Sequence, residues 1–336
     1  MATFEISGIS AAPGELKFGK MRAGQMRDGS IVTVPLMVMQ GAHEGPKLWM
    51  DAAIHGDEIS SIEVIRRIMR EEVKPEDLSG TIVAAPVVNP FAFQAGSAGT
   101  PQQGGTSNAD LHAIFPGNPT GTINDRLAHR VFNEGILKCD YYINFHGNFY
   151  PAVEFIPLTV CEDKEVLDAS IAWAEAIGMP LSAVRGATGW PVYNAQKAGK
   201  PALVVELLAQ GYMDQRSIDI GVLATLNALR HLKMVPGEVE PLPGLMVPPG
   251  RYGRGFVTSN SGGLVHFQKG AGDWLETGEV IAIIRDVYGD IVEEVKAPMQ
   301  GYIRTILFGP HNEAVHEGSV IASILEAEAN RDYFAD

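Results

Sequence analysis

The chain has 336 residues, 46% of them hydrophobic and 20% charged, so it can bury a sizeable core and is not disordered throughout. At about 150 residues per domain, this length points to two domains. A net charge of −14 repels a phosphate backbone and argues against nucleic-acid binding.

From residue 48 to about 232, apolar runs of strand type alternate with segments of helical period. Leu48–Ile54 reads as a strand. Glu58–Glu72 carries Ile59, Ile62, Ile65, Ile68 and Met69 every three to four residues, which predicts an amphipathic helix. Thr81–Val88 is a continuous apolar run, as in a strand buried on both faces. Ile123–Leu137 reads as a helix, Tyr141–Phe145 as a strand and Val166–Ile177 as a helix. Ala202–Leu207 is a second buried strand, and Ile218–Leu232 closes this part as a helix. The pattern predicts an α/β fold with a mixed, mostly parallel sheet flanked by helices, spanning residues 1–240.

Pro236–Gly250 holds five prolines and three glycines and reads as a linker. Beyond it, residues 241–336 carry short strand-like runs with Gly at the turns, an all-β signature. Gly278, Val280, Ile281, Ala282 and Ile284 recur 40 residues later as Gly318, Val320, Ile321, Ala322 and Ile324. This segment, roughly residues 250–326, resembles the biotinyl/lipoyl-like barrel-sandwich domain. The turn Asp286–Asp290 has no lysine, so a carrier role is not expected. The tail's place is open between bordering the site mouth and forming an interface in a homo-oligomer.

No apolar run approaches the roughly 18 residues of a membrane span. Met1–Ser10 lacks the basic and apolar regions of an export signal. Cys139 and Cys161 are too few for a disulfide framework and read as buried thiols. The expectation is a soluble cytoplasmic protein without membrane partners.

The chemistry-bearing signal begins at His55-Gly56-Asp57-Glu58, directly after an apolar strand. A strand running into H-x-x-E places an imidazole and a carboxylate at the mouth of a sheet, where ligands of α/β proteins sit. Both groups suit zinc. His146 also follows an apolar strand and completes a His-Glu-His set, three protein ligands that leave a coordination position open. Glu206 lies among Val204, Val205, Leu207 and Leu208, where a carboxylate is costly unless paired or functional. Near a metal-activated water it reads as general base and then general acid.

Together these residues resemble the succinylglutamate desuccinylase/aspartoacylase family, relatives of the zinc carboxypeptidases. The resemblance covers about residues 30–235. It rests on His55-Gly56-Asp57-Glu58, Asn89-Pro90, Asp110-Leu111, Phe115-Pro116-Gly117, Phe145-His146-Gly147 and Glu206. It implies one zinc ion on His55, Glu58 and His146, with Glu206 as catalytic base. It also implies hydrolysis of the amide bond of a small N-acylated amine or amino acid.

Three departures from that family accompany it. Phe91–Ala109 contains no Arg or Lys, although the family has an Arg after Asn-Pro. His112 and Ala113 stand where the family has Asn and a carboxylate-binding Arg. Asn144 stands where the family has an Asp two residues before its last metal ligand. Losing an Arg–carboxylate clamp removes a strong, geometrically specific contact. Two readings follow: a changed substrate, contacted by Asn108 and Arg185 with His112 donating to the developing oxyanion, or a metal-binding relative without activity; the retained ligands and Glu206 favour the first. A carboxypeptidase-like peptide hydrolase is a third reading, against which Ala113 argues because such an enzyme needs a basic pocket. Acidic substrates are expected to bind poorly compared with neutral or basic N-acyl compounds.

Overall fold

The structure is a computed structural model that describes residues 2–101, 109–148, 151–208, 211–306, 314–328 and 332–335. It opens with four strands ahead of those read from the sequence: β1 (Phe4–Ile6), β2 (Ile9–Ala11), β3 (Glu15–Gln25) and β4 (Ile31–Gln40). Alternation then follows, with α2, β8, β9 and α5 added to the elements read from the sequence: β5 (His43–Asp51), α1 (Ser60–Arg67), β6 (Ser79–Ala85), α2 (Pro90–Ala95), α3 (Ile123–Arg130), β7 (Tyr141–Asn148), β8 (Ile156–Thr159), α4 (Lys164–Ile177), β9 (Pro180–Val184), α5 (Pro191–Lys197), β10 (Ala202–Leu208) and α6 (Gln215–His231). After α1 the chain winds on in a wider turn, Ile68–Glu72, so the segment expected as one helix is two windings.

The main sheet runs β10-β7-β5-β6-β4-β3. Its first four strands are mutually parallel, and β4 and β3 close one edge antiparallel. Strand side chains alternate between faces. On one face Leu48, Met50, Ile143, Phe145 and Val205 pack against Val64 and Ile65 of α1, Trp173 of α4 and Leu229 of α6. On the other, Trp49, Val83, Tyr142 and Val204 pack against Phe91, Leu127 and Val192. Burial on both sides explains why these strands read as unbroken apolar runs.

Residues 233–249 cross without helix or strand. The remaining elements are all strands: β11 (Gly250–Thr258), β12 (Gly263–Phe267), β13 (Trp274–Leu275), β14 (Val280–Arg285), β15 (Ile291–Lys296), β16 (Gly301–Ile306), β17 (Ala314–Val315) and β18 (Val320–Glu326). The repeated segments are β14 and β18, each entered through a glycine at positive φ: Gly278 at 85° and Gly318 at 80°. One sheet, β15-β14-β12-β17, lies wholly in this region. A second, β13-β16-β18-β11-β9-β8, is shared with the preceding α/β region because β11 pairs with both β18 and β9. Phe155 bridges to Glu206 and Ala152 to Thr305, so residues 152–155 are clasped between β10 and β16.

Candidate metal centre and active site

The alternation that packs the second face of the main sheet also builds the site. Tyr142, Asn144 and His146 share one face of β7, and Val204 and Glu206 share the same face of β10. Towards the carboxyl ends of the parallel strands, that face changes from apolar to polar. His55 and Glu58 arrive from the loop after β5. The loop is fixed by Asn89, whose Nδ2 donates to the Ile54 carbonyl (3.0 Å) and whose Oδ1 caps α2 through Ala92 N (3.1 Å). A Cβ on Gly56 would fall 2.1 Å from the Ala92 carbonyl carbon. Gly56 is thus needed for close approach to α2. Ala53, at φ 52°, carries the unusual backbone conformation of this loop.

His55, Glu58 and His146 each offer a ligand atom, all within 4.8 Å of one another. The Glu58 carboxylate sits between the imidazoles, with Oε1 2.7 Å from His55 Nδ1 and Oε2 3.1 Å from His146 Nδ1. The other ring nitrogens are occupied: His55 Nε2 donates to Asp110 Oδ1 (3.3 Å) and His146 Nε2 to Asn144 Oδ1 (2.6 Å). The Asn144 amide is oriented by its Nδ2, which donates to Asp51 Oδ1 (2.6 Å) and leaves Oδ1 to accept from His146. His146 Nδ1 faces the buried Glu58 Oε2, which takes no hydrogen bond. Two such atoms left unjoined call for a proton or a metal ion between them. This donor set, with each His oriented by an outer partner, fits a zinc-class ion.

Without an ion, the ligating groups shift one another strongly. Burial raises the Glu58 carboxyl, but the neighbouring His146 and His55 imidazoles outweigh it and hold Glu58 down at about 2. Burial lowers His55, yet its bonds to Asp110 and Glu58 push it up to about 11. Asp51 is fully buried, and burial lifts it to about 6 against the donors Trp49, Asn144 and Tyr142.

Glu206 lies directly opposite His146 in the parallel ladder. Burial raises its carboxyl above the ordinary range, opposed by the charge of His146. His112 sits in a short turn, Leu111–Ala113, with its backbone N–H held by Asp110 Oδ1 (2.9 Å). Its ring centre is 4.5 Å from that of His146, 5.8 Å from His55 and 4.6 Å from Trp190. Burial, then the charges of His146 and His55, hold it well below the usual histidine range, so it is neutral. Its buried Nε2 has no partner among the described residues.

The structure therefore gathers His55, Glu58, His146, Glu206 and His112. Asn108 lies outside the described residues. Arg185 is not in this group. Its guanidinium donates to the Tyr333 carbonyl (3.5 Å) and to that of Ala335, which occupies it with the C-terminal segment. Sequence reasoning missed Asp51 and the role of Asp110 as partner of His55. Asp51 carried the same signal as Glu206, a carboxylate closing the apolar run Leu48-Trp49-Met50. The absence of Asp at position 144 is answered here by Asp51, which reaches His146 through Asn144.

Residues 44–232 match the catalytic-domain family of succinylglutamate desuccinylase/aspartoacylase. A curated relative, N-alpha-acetyl-L-2,4-diaminobutyric acid deacetylase of Halomonas elongata, is 26% identical over 306 residues, covering 88% of this chain and 86% of its own. The fold is shared with a succinylglutamate desuccinylase/aspartoacylase from Rhodobacter sphaeroides (TM-score 0.79, 24% identity, 94% and 96% of the two chains covered). It is shared equally with the product-bound ectoine utilization protein EutE (DoeB) from Ruegeria pomeroyi (TM-score 0.79, 23% identity, 93% and 95% covered). With the match to its catalytic domain spanning more than half of the sequence, the chain belongs to the succinylglutamate desuccinylase/aspartoacylase family.

Proposed function

We propose that the protein is a zinc-dependent deacylase that hydrolyses the amide bond of a small N-acylated amine or amino acid. The observation that carries this reading is the convergence of His55, Glu58 and His146 with Glu206 in register beside His146. One zinc ion on the three ligands would polarise the scissile carbonyl and lower the pKa of water to about 7. Glu206, raised by burial, accepts the proton of the attacking water and returns it to the leaving amine. Neutral His112 turns its unpartnered Nε2–H to the carbonyl oxygen as charge develops there. Asp51, Asn144 and Asp110 hold the ligating rings in orientation.

In this reading residues 1–240 are the hydrolase domain, and residues 241–336 form a barrel-sandwich-like β unit without a carrier lysine. The substrate is a small molecule. The diaminobutyric-acid relative supports an N-acetylated amino acid with a basic side chain. Among the described residues no helix is long and apolar enough to cross a membrane.

The test is acyl release from a panel of N-acetyl and N-succinyl amino acids, N-α-acetyl-L-2,4-diaminobutyrate included, with Glu206→Gln as the blank. Turnover by the wild type that is abolished in the variant is expected. Equal rates in the two proteins, or none with any substrate, refute the reading.

A further inference from the structure

Two arginines of the C-terminal β region, Arg254 and Arg304, lie close enough to Glu206 to interact with its charge and have no carboxylate ion-pair partner among the described residues. Arg304 lies on β16 and is only 6% exposed. Its Nε donates to Ser323 Oγ (2.8 Å), and its guanidinium carbon lies 4.8 Å from the centre of the Phe155 ring. Arg254 lies on β11, with its guanidinium 5.2 Å from the centre of the Phe256 ring. Phe256 is the register partner of Ser323, so one strand pair seats both arginines. Among the described residues, neither arginine has a carboxylate within ion-pair distance.

The backbone aims Arg304. The β16–β18 ladder passes from Ile303↔Ile324 to Thr305↔Ser323 and leaves Arg304 as the extra residue of a bulge. Such bulges redirect a side chain. The Arg304 carbonyl accepts from Val153 N (2.9 Å), and two residues on Phe155 exchanges backbone hydrogen bonds with Glu206 (3.0 and 3.3 Å). Arg304 is thus one strand removed from the proposed base. Burial lowers its pKa to about 10, helped by the charge of Arg254 and opposed by that of Glu206. A buried guanidinium beside a second one is costly unless an anion completes the arrangement.

We propose that Arg304, assisted by Arg254, binds the carboxylate of the substrate, so that the C-terminal β region supplies the clamp absent at Ala113. This rests on the deacylase reading and narrows its substrates to N-acyl amino acids with a free carboxylate, at the expense of N-acyl amines. The planar fork of Arg suits two parallel bonds to such a group.

The test is calorimetric binding of N-acetyl-L-alanine and of its primary amide to the zinc-loaded full chain. It is run in a Glu206→Gln background so that neither compound is consumed. A preference for the acid of about 10- to 100-fold is expected from a charge-assisted contact. Arg304→Gln should remove that preference and leave amide binding unchanged, and Arg304→Lys should keep part of it. If Arg304→Gln does not fold, Arg254→Gln on its more open strand face should still reduce the preference. Equal binding of acid and amide in the parent, or variants that weaken both alike, overturns the proposal. Acid preference without turnover by the wild type leaves the clamp standing and removes the deacylase reading instead.

Discussion

His146 and Glu206 face each other directly across the parallel β7–β10 ladder. A proposed metal ligand and a proposed base are thereby fixed by backbone hydrogen bonding, which holds their separation more firmly than a loop would. Replacing Glu206 by Gln keeps the shape and removes the proton acceptor. We expect kcat to fall by about 10²–10⁴-fold, with metal content unchanged. Metal analysis alongside steady-state rates checks both halves.

The raised Glu206 pKa sets the sign of a pH effect. A general base works when ionised, so activity should fall as pH drops through its pKa. That limb should lie above the ordinary glutamate value of about 4.3. A kcat/KM profile with an acid limb at or below that value contradicts the assignment.

Asn144 relays Asp51 to His146 through bonds of 2.6 Å on either side. Asp51→Ala removes the group that orients the Asn144 amide. Metal affinity should weaken about 10- to 100-fold, as for other outer partners of ligating histidines. Competition with a chromophoric chelator measures this, and unchanged affinity removes Asp51 from the metal centre.

Proton linkage at His55 has a definite direction. Asp110 and Glu58 push the imidazole up to about 11 in the metal-free protein, whereas zinc requires its neutral nitrogen. Zinc binding at neutral pH should therefore release a proton, seen as buffer-dependent heat in calorimetry, and affinity should rise with pH. In the metal-free protein the stabilisation from a raised His55 is fully present below its unfolded pKa of about 6.5. It is lost as pH rises towards about 11. Thermal melts of chelated protein across that window should show the decline.

His112→Ala should lower kcat by about 10²–10³-fold, the range for one oxyanion donor, while zinc content stays at one ion per chain. Loss of zinc in this variant would instead place His112 among the ligands.

Much of this was legible because apolar runs report strands buried on two faces, and a polar residue inside such a run stands out. Glu206 and His146 were visible in that way. Asp51 belonged to the same class of signal. Its partner Asn144 is 93 residues away, and only the β5–β7 register brings the two together. The arginines at 254 and 304 were invisible for a similar reason. The strand of Arg304 returns to residues 152–155 and that of Arg254 joins it through β18, pairings far apart in sequence, and a bulge rather than a motif aims Arg304. Strands β1–β3 are hard to read because polar residues interrupt their apolar pattern, as in Glu15–Gln25, where burial is intermittent; β4 is a long apolar run, but Pro35 inside it argues against a strand.

The central claim is that amide hydrolysis depends on one metal ion at His55, Glu58 and His146. The most direct measurement is acetate release from N-α-acetyl-L-2,4-diaminobutyrate by chelated protein as zinc is titrated back. The account predicts no activity without metal and a linear rise that stops at one ion per chain. It also predicts that Glu58→Ala neither retains zinc nor recovers. Acetate release that survives chelation, or a Glu58→Ala protein with full metal occupancy, would contradict it.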